Sequence, residues 1–385
     1  MGKLGKIWQL VIPAFILLSC SAHAQELSSS EHFKNNRDGT QTLLHHVPSL
    51  VTRGLAFKMG HADAHRNLDL RIMLPSKDPA GMASLLKALY NPQSPVYHQF
   101  LTHQQVVQQF GASSVESTPV LEHLRANGLS VYDQSDDGRM LSVSGPLAAV
   151  ERAFKVSINN YKEINGKTYF APDSDPTVPP KLAGKIDAIF GMDNMHRFHH
   201  HAHAKRISGA LVGPVSAPAV NAPALTQAAM PTRIGGLSIA NTTVATHVQK
   251  PSAFTGPFGT VAPSDILTAY NLNSVSSKGT GQTQALYELD GFVAGDITQF
   301  TSEFNISPVP TITVVPVSGG VTTPGDGILE VDLDIDLTMA MAPGLSRVLV
   351  YEADQNTDLN AWLDEWNKIY TDNLAKTVSC SWGLD

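Results

Sequence analysis

Cysteine is nearly missing from this chain: Cys20 and Cys380 are the only two in 385 residues. If the leader argued for below is removed, Cys380 stands alone, no intrachain disulfide can form, and a packed core must carry stability. Charged residues are also sparse, at 16% against 42% hydrophobic, so the apolar surface for such a core exists. The charge that remains is acidic, −7 with histidine neutral, which argues against nucleic acid as a partner. No histidine occurs between Lys250 and Asp385. A Ser–His–Asp triad therefore cannot be assembled from that stretch, although Asp290 stands where such an order would place its aspartate.

The first 24 residues read as a secretory leader. Lys3 and Lys6 open it, residues 7–18 are apolar but too short to span a bilayer, and Ala22-His23-Ala24 is a small-x-small cleavage site. Export to the periplasm or the medium is expected, with no stable membrane insertion. Cys20 after Leu17-Leu18-Ser19 keeps a lipoprotein leader open as an alternative. Cleavage before Gln25 removes two lysines and no acid, taking the formal charge from −7 to −9.

Three regions follow. Residues 41–197 form the first, within which 60–197 read as strand 68–74, helices 82–90, 104–110 and 118–127, strands 129–133 and 139–144, helix 147–154 and strand 156–161. That order belongs to a small antiparallel α+β domain. Residues 198–262 are a linker rich in His, Ala and Pro. His199, His200, His201 and His203 within it could bind a transition metal or form a flexible polar run. From 263 to 385, strands 283–289, 311–317, 347–351 and 377–381 alternate with helical spacing, notably over 358–370. A parallel sheet covered on both faces is expected, with 377–381 as a central strand.

Inside that last region, residues 328–344 place Glu330, Asp332, Asp334 and Asp336 at alternate positions in an apolar run. As a helix, Glu330 and Asp334 share one face, about 40° apart, and Asp332 and Asp336 share another. Like charges at that spacing destabilise an isolated helix, and paired carboxylates can divide proton transfer and proton holding between them. As a strand, all four would line one solvated acidic edge or a calcium surface. The Thr-Met-Ala-Met-Ala continuation and the Pro343-Gly344 stop favour the helix, with Asp332 and Asp336 on its solvated face.

The stretch from Tyr90 to Thr102, with Phe110-Gly111, Val143-Ser144-Gly145, Val150-Glu151-Arg152-Ala153-Phe154 and the run from Asn165 to Tyr169, resembles the activation domain of the sedolisin (pro-kumamolisin-type) serine-carboxyl peptidases. Residues 263–272, Gly279-Thr280-Gly281-Gln282-Thr283 and Glu288-Leu289-Asp290-Gly291 are similar to the start of that family's catalytic domain. The resemblance implies a ferredoxin-like prodomain that blocks the cleft until acid releases it, then a subtilisin-like α/β domain acting on protein or peptide substrates. It implies Glu330 as base, Asp334 as the group that polarises it, and Ser381-Trp382-Gly383 as a substrate-binding strand edge.

The family's oxyanion aspartate in a Gly-Asp turn, its Gly-Thr-Ser nucleophile motif and its calcium ligands are expected further downstream. No Gly-Thr-Ser occurs in these 385 residues, and Gly295-Asp296 and Gly325-Asp326 come too early. The expectation is thus an exported, acid-acting endopeptidase precursor whose chain as given hydrolyses nothing alone. The alternative is a non-enzymatic, prodomain-like inhibitor or chaperone of a related peptidase.

Overall fold

A computed structural model describes residues 32–195, 198–200, 254–256 and 261–384. The expected leader, most of the linker, and His201 and His203 lie outside the described residues. The chain divides into two compact units, one of Met1–Phe198, Gln355–Asn373 and Leu384–Asp385, the other of His199–Asp354 and Leu374–Gly383.

The first unit begins with β1 (Phe33–Asn35), β2 (Gln41–Leu43), α1 (Ser49–Thr52), β3 (Ala56–His61) and β4 (Asn67–Met73). There follow α2 (Pro79–Leu89), α3 (His103–Phe110), α4 (Ser114–Ala126), β5 (Ser130–Gln134), β6 (Met140–Pro146) and α5 (Leu147–Phe154). Strands β7 (Ile158–Glu163), β8 (Thr168–Pro172), β9 (Thr177–Val178) and β10 (Ala188–Phe190) complete it, and β11 (Phe198–His200) comes next along the chain. The main sheet runs β10-β4-β6-β5 and is antiparallel throughout. Smaller sheets β3-β7-β8 and β1-β2-β9 flank it in sequence. The expected strand–helices–strand–strand–helix–strand order is present, within a larger set of short strands whose sequences carry too few residues to show a period.

Local chemistry explains the helix starts. Asp78 accepts the Gly81 amide at 2.9 Å with Pro79 at the first helical position of α2. Thr102 and Gln105 form a capping box on α3, and Ser113 and Glu116 form one on α4. The latter starts α4 at Ser114, four residues before the expected Thr118, and leaves Pro119 inside the helix. The core joins Leu70, Ile72, Leu141 and Val143 of the sheet to Val120 and Leu124 of α4 and Leu147, Val150 and Phe154 of α5, all fully buried.

Arg71, between two of those core positions on β4, is only 3% exposed. Its Nε and Nη2 donate to Asp364 at 2.7 and 2.6 Å, a bidentate pair with α9 (below) of the same unit. Asn360 at the start of that helix donates to the Asp69 carbonyl at 2.9 Å.

The second unit contains α6 (Pro263–Ala269), β12 (Thr283–Glu288), α7 (Ala294–Glu303), β13 (Thr311–Pro316), α8 (Ile328–Met341) and β14 (Arg347–Glu352). Helix α9 (Ala361–Asp372) belongs to the first unit, and β15 (Thr377–Cys380) and β16 (Trp382–Leu384) follow it. The sheet order is β13-β14-β12-β15, and every pair is parallel, as the alternation of strands and helices requires. Strand β15 is not central: among the described residues it pairs only with β12, and Thr377, Val378 and Cys380 are exposed. A short β-branched run reads the same at the edge of a sheet as in its middle. The chain is thus a mixed α/β protein with antiparallel sheets in one unit and a parallel sheet in the other. Among the described residues no helix is long and apolar enough to cross a membrane.

Candidate active site

The acidic segment is helical. Its first turn follows Gly325-Asp326-Gly327, its last meets Pro343, and α8 between them is hydrophobic on every side except at the carboxylates. Glu330 lies in the first turn and is 4% exposed. Asp334 lies one turn further along, half-buried, and Glu330 acts on it electrostatically.

A third carboxyl completes the group. Glu288, the last residue of β12, is fully buried. Its carboxyl meets that of Asp334 in a hydrogen bond, and Glu330 also acts on it. Burial drives the Glu288 pKa well above the ordinary carboxylate value, with the negative charges of Asp334 and Glu330 adding to the shift. The shared hydrogen bond raises Glu288 and lowers Asp334. Glu288 therefore holds the proton and donates it to Asp334. Burial still leaves Asp334 above its ordinary value, against the opposing pull of the Ser381 hydroxyl.

Residues expected to line a substrate strand supply the remaining donors. Ser381 Oγ donates to Asp334 Oδ1 at 2.9 Å, and Trp382 Nε1 donates to Glu288 Oε2 at 2.9 Å. Both side chains are thus turned towards the carboxyls. Gly383 lies beside them in β16, and His200 meets the Trp382 ring edge-on at 6.1 Å between centroids.

The opposite face of α8 is not solvated as expected. Asp332 accepts the Val293 amide at the start of α7, Asp336 faces Asp332 and Asp296, and both are half-buried. Burial and those like charges push Asp336 up to about 7. A second acid absent from the expectation is Glu352, which pairs in register with Glu288 at the ends of adjacent parallel strands. Burial, then Asp290, pushes it up to about 7. The sequence signal for Glu288 and Glu352 was their position, each closing an apolar parallel strand at its carboxyl end, where sites in open α/β sheets gather.

Residues 56–195 match the model of the pro-kumamolisin activation domain. Over its whole length the chain is 24% identical to xanthomonalisin of Xanthomonas sp. (strain T-22), covering 45% of that protein. It is 25% identical to sedolisin of Pseudomonas sp. (strain 101) over 89% of the chain and 52% of that protein. Kumamolisin of Bacillus sp. (strain MN-32) is 27% identical over 71% of the chain and 43% of that protein. The chain is thus similar to sedolisin-type pro-peptidases, with a pro-kumamolisin activation domain matched over 56–195. It spans about half the length of the curated relatives it matches, and both units fall within the matched region.

Glu330 and Asp334, the pair that the resemblance picked out, lie one turn apart on α8, and the structure brings Glu288 and Trp382 to them. Among the described residues, no group of three or more His, Cys, Asp or Glu side chains could hold a metal ion. The calcium implied by the resemblance thus finds no ligand set there, and no step below uses it.

Proposed function

We propose that the chain is the precursor part of an exported, acid-acting serine-carboxyl endopeptidase, with a ferredoxin-like activation domain and the proton-handling half of a subtilisin-like site. The observation that carries this reading is the triplet of buried Glu288, half-buried Asp334 and buried Glu330, in which one carboxyl holds a proton against the next. Glu330 takes the proton from a serine hydroxyl as that oxygen attacks a peptide carbonyl. Asp334, anchored by Ser381 on one side and protonated Glu288 on the other, orients Glu330, and its negative charge favours the neutral, protonated form that Glu330 takes as it removes the proton. Burial raises both Glu288 and Asp334 above their ordinary values, so the arrangement suits acidic solution. Ser381-Trp382-Gly383 supplies the edge along which a substrate backbone would run. The leader of residues 1–24 directs export.

The test is a graft in which this chain replaces the matched part of the xanthomonalisin precursor. The graft is expected to hydrolyse a protein substrate at acidic pH, and Glu330→Gln is expected to lower kcat by about 10²–10⁴-fold, the usual contribution of a positioned general base. An unchanged rate in Glu330→Gln would remove Glu330 from the mechanism. An inactive graft, together with acid-range inhibition of purified sedolisin by the 385-residue chain, would replace the reading with that of a binding protein.

A further inference from the structure

Asp290 lies two residues beyond Glu288, where β12 has ended. It is 9% exposed, and its carboxylate is fully engaged by backbone amides. Oδ1 accepts from Gly291 at 2.7 Å and from Gly325 at 2.8 Å, while Oδ2 accepts from Gly327 at 2.8 Å. Gly325 and Gly327 belong to the turn that delivers α8, and Gly327 is its N-cap residue, with no side chain to cap the helix itself. Asp290 thus supplies from beyond the end of β12 what the N3 acid of a capping box supplies locally, a carboxylate on the amide of the N-cap residue, and it holds the Gly325 amide as well.

The close approach requires glycine at 327 and leaves little room for a side chain at 325. A Cβ on Gly325 would come 3.1 Å from Asp290 Oδ2, and one on Gly327 would come 2.9 Å from the same oxygen and 2.5 Å from the Trp382 ring. One short stretch, Glu288 to Asp290, thus grips α8 twice. Glu288 meets it at Asp334, and Asp290 meets it at its first residues, three positions before Glu330. Two grips on a rigid helix set both its rotation and its height.

We propose that Asp290 is a positioning residue, whose hold on Gly325 and Gly327 fixes α8 so that Glu330 and Asp334 stay opposed to Glu288. The consequence for catalysis rests on the function proposed above, but the test does not need turnover. In the intact 385-residue chain, the side-chain carboxyls of Glu288 and Asp334 are followed by carbon NMR across a pH titration, in wild type and in Asp290→Asn. Loosening the helix admits water and separates the charges, so both midpoints are expected to fall, Glu288 by about one pH unit or more.

Asp265→Asn is the control, because Asp265 caps α6 of the same unit by accepting the Ala262 and Thr255 amides at 2.9 and 2.8 Å. It is expected to lower the melting temperature and leave both midpoints in place. The proposal is overturned if Asp290→Asn behaves like the control, destabilising the unit without moving either carboxyl. Should Asp290→Asn fail to fold, Gly325→Ala, which pushes only one amide away from Asp290, is read by the same two midpoints.

Discussion

Protonated Glu288 is the residue on which the site's electrostatics turn. It is fully buried, it is the donor to Asp334, and its own oxygen is held by Trp382 Nε1. A carboxyl whose folded pKa is raised stabilises the fold fully below its unfolded value. That contribution is lost as pH rises through the folded value, because the unfolded chain then gives up a proton that the folded chain keeps. Glu288→Gln replaces the protonated acid with a neutral group that still donates to Asp334 and accepts from Trp382. Thermal melts of the second unit are therefore expected to coincide for wild type and variant near pH 4, with the variant the more stable above pH 7. A wild type that stays ahead at alkaline pH would mean that Glu288 is ionised in the folded chain. In the sequence the residue belongs to a strand and turn, yet its role is illegible there, since nothing in a period of two says which strand end faces Asp334.

At the scale of elements, the pH response of the first unit centres on the connection between β2 and β10. His46 follows β2, its Nε2 accepts the Ile189 amide of β10 at 3.0 Å, and its Nδ1 faces the carbonyls of Leu43 and Leu44 at 3.1 and 3.0 Å. That geometry requires a neutral ring with the proton on Nδ1. Burial lowers its pKa, against the opposing charges of Asp175 and Asp193. Below about pH 6.5 the unfolded chain binds a proton that the folded chain resists, so the unit loses stability as the solution turns acid. His46→Gln keeps one of the two contacts. It is expected to cost about 1 kcal/mol at pH 7.5 and to flatten the loss of melting temperature between pH 6.5 and 5, and an unchanged acid slope would exclude His46 as its source. The same scale shows what the sequence could express. Helix α3, with its start within one residue of the expected one, and the acidic helix α8 with its Pro-Gly stop were legible from their own residues. Helix α2, by contrast, was expected from 82 and starts at Pro79, behind its Asp78 cap. The start of α4 was misplaced because Pro119 imitates a first-turn proline while the capping box sits upstream. The pairing of β10 with β4, and the edge position of β15, depend on partners far along the chain and left no local mark.

For the whole molecule, the two units carry opposite titrations. In the second, Glu288, Asp332, Asp334, Asp336 and Glu352 all have raised pKa values, chiefly through burial among like charges, and among the described residues only Asp265 is lowered. Each raised carboxyl adds stability as pH falls towards its unfolded value. For the buried Glu352, the distance from 4.5 to about 7 corresponds to roughly 3 kcal/mol. In the first unit, His46 is lowered by burial, and Asp38 and Glu116 are lowered by hydrogen bonds from Thr40 and Ser113. His46 loses its contribution as pH falls below about 6.5. Asp38 and Glu116 lose theirs only below their ordinary values of 3.8 and 4.5, and among the described carboxyls of that unit Asp187 is shifted the other way. Taking the solution from pH 7 to pH 4.5 should therefore, through His46, weaken the unit that contains the activation domain and strengthen the unit that contains the carboxyl site. Hydrogen exchange, corrected for the intrinsic pH dependence of the amide rate, can follow each unit within the intact chain. Peptides from β4 and β6 are expected to lose protection over that range while peptides from β12 and β14 gain it. Parallel changes in both sets would show that the buried carboxyls of the second unit are ionised at neutral pH, and would remove the physical basis for a preference for acid.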